Sequence, residues 1–105
     1  MKYGLKDSFI STIEEIFKKN NKITKLIIYG SRAKGTYKQG SDIDLAIVGE
    51  ISLEELNKIA IELDDLDSPY TFDLCIYNKL ENVDLKEEID KVGQIILSSL
   101  RTGPS

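Results

Sequence analysis

The chain has 105 residues, 41% hydrophobic and 30% charged, with 14 Lys and Arg against 18 Asp and Glu for a net charge of −4. That is the size and composition of one globular domain. With no His and one Cys, it excludes Ser-His and Cys-His catalysis, His-ligated metals and any disulfide framework. No apolar run approaches the roughly 20 residues of a membrane span, so no membrane association is expected, and the acidic total argues against general nucleic-acid binding. Met1 to Lys6 holds no signal-peptide core, and a lone Cys suits a reducing compartment, so the expected location is cytoplasmic.

Leu5, Phe9, Ile10, Ile13, Ile16 and Phe17 recur at helical spacing and predict a helix over about 5–19, stopped by Asn20-Asn21. The β-branched run from Thr24 to Tyr29, closed by Gly30, predicts a buried strand. Residues 31–41, with Gly35 and Gly40, read as a helical turn and a loop. Residues 42–48 predict a second strand closed by Gly49. Ser52 with Glu55 has the pattern of a capping box, opening a helix that carries Leu53, Leu56, Ile59, Ala60, Leu63 and Leu66 until Ser68-Pro69 breaks it.

Residues 71–77 predict a third strand. Asp84 with Glu87 marks the start of another helix; Gly93 could sit inside a longer helix but fits better as the residue just past its end, with Lys91 in the last turn. Residues 94–97 then extend alongside the sheet. Residues 1–100 are expected to form the domain and 101–105 a flexible tail or expression remnant. The order gives one α/β (α+β) domain with a small sheet.

Charge is divided along the chain. Residues 16–41 contain seven Lys and Arg and no acid, whereas residues 42–105 contain fifteen acids and five bases. Lys18, Lys19 and Lys22 fall at a helix C-terminus, where cations meet the dipole favourably. Arg32, Lys34 and Lys38 fall in the Gly-rich connection directly before two aspartates. A positive loop beside a negative cluster suggests a phosphorylated ligand that brings its own metal ions. The acids of the two later helices read either as solvated faces or as a surface for a basic partner.

Asp42 and Asp44, two apart in a predicted strand, leave the same face, with Cα atoms about 6.5–7 Å apart. Asp is depleted from strands, and here Ile43, Leu45, Ala46, Ile47 and Val48 surround the pair. Asp73, between Phe72 and Leu74, repeats the anomaly; alone, it could pair with Arg32 or a Lys. Carboxylates crowded in apolar strands are costly. A hard divalent cation relieves both burial and repulsion, and Mg²⁺ typically takes one or two carboxylates plus substrate phosphates. Two such ions would clamp an in-line displacement at phosphorus. Gly30-Ser31, at a strand end, lets backbone N–H groups approach a phosphate, and Arg32 is a further candidate anion ligand. Tyr37 either stacks on a base or is simply exposed, and Cys75 reads as a small core residue.

Gly30-Ser31, ten residues, then Asp42-Ile43-Asp44, within GSRAKGTYKQGSDIDLAI, resembles the signature of the minimal nucleotidyltransferases of the DNA polymerase β-like superfamily, which include the MntA-like antitoxins. The resemblance runs over essentially the whole chain. It implies a small mixed β-sheet with helices packed on one face, and metal-dependent transfer of a nucleoside monophosphate from an NTP, with ATP as substrate. By matching position, Asp42, Asp44 and Asp73 would be catalytic and hold two Mg²⁺ ions, or Mn²⁺ in their place, and Gly30 and Ser31 would hold the triphosphate. The implied acceptor is a Tyr hydroxyl on a small α-helical HEPN-type RNase toxin, which the chain would neutralise as an antitoxin. A non-catalytic module acting by occlusion, or transfer to a small molecule, are the alternatives. Larger relatives carry extra domains to grip their acceptor, so a second chain or a second copy is expected to supply that surface here.

Overall fold

The continuous apolar run Leu26-Ile27-Ile28-Tyr29 is that of a strand buried on both faces, and it closes β1 (Ile23–Tyr29) in a computed structural model that describes residues 1–98. Before it comes α1 (Asp7–Lys18), and after it the short α2 (Gly30–Lys34), β2 (Ile43–Gly49), α3 (Leu53–Asp64) and β3 (Phe72–Ile76). A 3-10 turn (Tyr77–Lys79), α4 (Val83–Val92) and β4 (Gln94–Ser98) follow. The expected tail at 101–105, and the last two residues of the expected 1–100 domain, lie outside the described residues. Among the described residues, no helix is long and apolar enough to cross a membrane.

The four strands lie in the order β3-β2-β1-β4. β1 pairs antiparallel with both β2 and β4, while β2 and β3 are parallel. Parallel neighbours need a crossover, and α3 provides it. The mixed sheet is as expected, but its helices are divided between the two faces rather than gathered on one. Leu26, Ile28, Ile43, Leu45 and Ile47 point to the face covered by Ile13, Ile16 and Phe17 of α1 and Ile59 and Leu63 of α3. Tyr29 and Ala46 point to the other, where Ile89, Leu85 and Val92 of α4 meet them. Successive side chains take opposite faces, so the near-continuous apolar runs of β1 and β2 make both faces apolar, and such a sheet must be covered twice.

The local signals explain the helix ends. Ser52 Oγ accepts from Glu55 N at 3.1 Å and Glu55 Oε1 accepts from Ser52 N at 2.9 Å, so the capping box forms in full. The same Glu55 also accepts from Asn20 Nδ2 at 3.0 Å and pairs with Lys22 at 3.2 Å, while Lys19 pairs with Glu62. Part of the basic run thus ties the end of α1 to α3. Ser52→Ala removes one partner of the box and should cost about 1 kcal/mol, read as a lower urea midpoint at unchanged slope.

One expectation at α4 is corrected. Its cap is Asn82, whose side chain accepts from Leu85 N at 3.1 Å, and Asp84 lies inside the first turn. Asn and Asp both cap well, so the sequence offers two starts two residues apart. Gly93 follows the helix, as the preferred reading has it, in an extended conformation at φ −63° and ψ 144°. Room is what it provides: a Cβ there would lie 2.4 Å from the Ile89 carbonyl oxygen and 2.6 Å from Ile27 Cγ2.

Candidate active site

The register of the sheet builds the site. Tyr29, the last residue of β1, is opposite Asp44 on β2, and Asp44 is level with Asp73 on the parallel β3. Because partners in register share a face, the two carboxylates stand side by side, on the α4 face with Cys75 two residues along from Asp73. Gly30 follows Tyr29 directly, so the chain turns into α2 against the Asp44 carboxylate. Gly30 has φ +74°, and a Cβ built on it would lie 2.2 Å from Asp44 Oδ2. Only glycine allows both the left-handed turn and that approach. Gly30, Asp44 and Asp73 are therefore brought together.

Asp42 lies one residue before β2 rather than within it. Its Oδ1 accepts the hydroxyl hydrogen of Thr71, the residue preceding β3, and Ile43 N donates to the Thr71 carbonyl at 2.9 Å. Asp42 and Asp73 are exposed and Asp44 is half-buried. Burial, then the charges of Asp73, Asp42 and Glu88, push the Asp44 carboxyl up to about 6. The charge left uncompensated there is what a cation would offset. Beneath the carboxylates, Tyr29 Oη lies 3.6 Å from Cys75 Sγ. Burial holds that phenol far above its usual range and raises the thiol as well, so neither is a ready nucleophile.

Arg32 occupies a different place from the one expected. It is 3% exposed and turned inward, its donors on the backbone carbonyls of Tyr3 and Ser41. Its guanidinium lies over the rings of Tyr37 and Tyr70. Tyr37, at 37% exposed, rests on Arg32.

Sequence reasoning missed two contributors. Thr71 gives no signal beyond being a polar residue ahead of a strand. Glu88 does give one, since it falls within the apolar stripe of Leu85, Ile89 and Val92, on the side of α4 that turns to the sheet.

The donor set is all carboxylate oxygen, which suits a hard cation such as Mg²⁺. Among the described residues, no three acidic side chains converge closely enough to enclose an ion by themselves. An Mg²⁺ ion anchored by only one or two carboxylates needs substrate phosphates to complete its shell.

A mixed sheet that sets a Gly-Ser turn against paired strand aspartates defines a nucleotidyltransferase-type domain. The chain belongs to the polymerase β nucleotidyltransferase family, whose profile matches residues 11–102. A protein of Methanocaldococcus jannaschii, provisionally named a protein adenylyltransferase, is 38% identical over 67 residues, which are 64% of this chain and 50% of that one. The chain thus spans about half the length of the curated relative it matches. Among solved structures, a toxin–antitoxin complex with AMP-PNP superposes at a TM-score of 0.65 and 21% identity, over 87% of this chain and 74% of the other. A complex of tri-AMPylated Shewanella oneidensis HEPN toxin with MNT antitoxin superposes at 0.57 and 18% identity, over 86% and 70%. At these identities the structural likenesses speak for the fold.

Proposed function

We propose that the chain transfers AMP from ATP to a hydroxyl, a Tyr of a HEPN-type toxin, and so acts as an antitoxin. The observation that carries this reading is the level pairing of Asp44 and Asp73 directly against the Gly30 turn. The names of the relatives support the rest: an adenylyltransferase, an antitoxin with AMP-PNP in its complex, and an AMPylated HEPN toxin. Cys75, a free thiol, suits the cytoplasm in which such a pair would work.

In this reading Asp42, Asp44 and Asp73 would share two Mg²⁺ ions, one or two carboxylates to each, with substrate phosphates completing the shells. Once bound, the ions supply charge neutralisation at the phosphates and a lowered pKa for the acceptor hydroxyl. The chain's own groups divide the remaining work. Gly30 and Ser31 present backbone N–H groups and a hydroxyl to the outer phosphates. Gly30, having no side chain, lets those phosphates come close to Asp44. Exposed Asp73 is open to the acceptor and takes its proton as the new P–O bond forms and pyrophosphate leaves. Thr71 keeps one Asp42 oxygen occupied, which fixes the rotation of that carboxylate.

The test is intact-mass spectrometry of a HEPN-type toxin after incubation with this chain, ATP and Mg²⁺. The expected result is an added AMP that disappears with chelator. Inhibition of the toxin with no mass change would replace this reading with occlusion, and labelling of small-molecule alcohols alone would replace the acceptor.

A further inference from the structure

Arg32 is the one charged side chain among the described residues that is buried. A guanidinium withdrawn from water is costly unless every donor direction is answered. No carboxylate lies within ion-pair distance of it among the described residues. Two carbonyls answer it instead, from segments far apart in sequence. Nη1 donates to the Tyr3 carbonyl at 2.8 Å, while Nη2 and Nε both donate to the Ser41 carbonyl, at 2.9 and 3.2 Å. The rings of Tyr37 and Tyr70 lie 5.2 and 5.0 Å from its centre. Tyr3 and Gly4 both have positive φ, and a Cβ on Gly4 would lie 2.9 Å from Arg32 Nη1 and 2.4 Å from the Tyr37 ring. The amino-terminal turn is thus shaped around this guanidinium.

The Ser41 carbonyl belongs to the planar peptide that leads into Asp42, so holding its oxygen at two points fixes that plane. The turn before it is closed by Ser41 N on the Lys38 carbonyl at 3.0 Å and by Lys38 N on Ser41 Oγ at 2.8 Å. Thr71 then holds the Asp42 carboxylate from the other side. We infer that Arg32 is a positioning residue for Asp42, bracing the Ser41–Asp42 peptide against the Tyr3 turn so that the carboxylate is set at the site before any ligand arrives. This rests on the proposed role of Asp42. Lysine cannot replace the fork: one ammonium does not reach two carbonyls in fixed directions while lying flat between two rings.

The experiment compares the wild type with Arg32→Lys and Tyr37→Leu, the latter stripping one ring while leaving the arginine's donors in place. In the nucleotide-free chain, amide hydrogen exchange over 36–42 should rise at least about tenfold in Arg32→Lys and by a smaller factor in Tyr37→Leu, with the β1 and β2 amides unchanged. In the transfer assay, kcat should fall at least about tenfold and the Mg²⁺ concentration for half-maximal rate should rise, while KM for ATP moves less than about threefold. Unchanged exchange with a raised KM for ATP would overturn the inference and make Arg32 a phosphate ligand. If Arg32→Lys does not fold, Tyr37→Leu decides by the same readouts. If the wild type transfers nothing, the proposed function fails, yet the exchange comparison still supports the brace or overturns it.

Discussion

Asp42→Asn together with Asp44→Asn is expected to abolish nucleotide transfer, by about 10³-fold or more given several kcal/mol of lost charge stabilisation. The same variant should be harder to melt than the wild type in the absence of metal. Asn keeps the oxygen that Thr71 donates to, so the local hydrogen bond survives. The gain arises at Asp44, whose carboxyl is pushed from 3.8 to about 6 in the fold, chiefly by burial and then by Asp73, Asp42 and Glu88. A group that holds its proton more tightly folded than unfolded stabilises the fold when protonated. That contribution is fully present below the unfolded value of 3.8 and lost as pH rises through about 6.

Above that window the wild type carries an uncompensated charge and the variant does not. Solvent screens a half-buried group, so the gap should be about 1 kcal/mol, a few degrees in Tm for a chain of this size. Melting curves in chelator across the window measure it. Mg²⁺ should close the gap by raising the wild type alone. A gap independent of pH and of Mg²⁺, or transfer that survives both substitutions, would remove the metal-site reading.

Gly30→Ala should be damaging in both stability and activity. An alanine at φ +74° costs about 1–2 kcal/mol in backbone strain, and its Cβ would meet Asp44 Oδ2 at 2.2 Å and Asp44 Cγ at 3.1 Å. Either the carboxylate or the junction of β1 with α2 must move. We expect a total loss of about 2–3 kcal/mol, overcrowding adding to the strain, and at least a 100-fold drop in transfer, since a displacement of about 1 Å is enough for that. Gly35→Ala is the matched control. It has φ +81° but no atom within 4 Å of its Cβ position, so it should lose stability to strain and keep its transfer rate. If the two behave alike in the mass assay, contact with Asp44 is not what requires glycine at position 30.

Much of the site was legible because its residue types are out of place. Aspartates in an apolar strand at 44 and 73, and a glycine ending β1, each contradict local preference, and the fold sets them against one another. α3 was equally plain, its capping box forming between the residues that announced it. Arg32 was misread because a cation beside a Gly-Ser turn has the same one-dimensional signature whether it faces a ligand or the interior. Only the Tyr3 turn, 29 residues upstream, decides which. The division of helices between two faces was hidden for a related reason. The period of a helix shows that it has an apolar side, not which side of the sheet it will cover. Glu88 shows the same gap: its place in the stripe of α4 is readable, but its proximity to Asp44 depends on where α4 docks.

The parallel pairing of β2 with β3 has a consequence for how the site comes into being. Gly30 and Asp44 meet across an antiparallel pair joined by a 13-residue connection, a shorter loop to close than the one that brings in β3. Asp73 comes level with Asp44 only because the chain runs through α3 and returns, a more distant closure. A nascent or nicked chain can therefore own the turn and the first two carboxylates while lacking the third. Under the proposed function, competence for transfer would then be a property of the finished sheet.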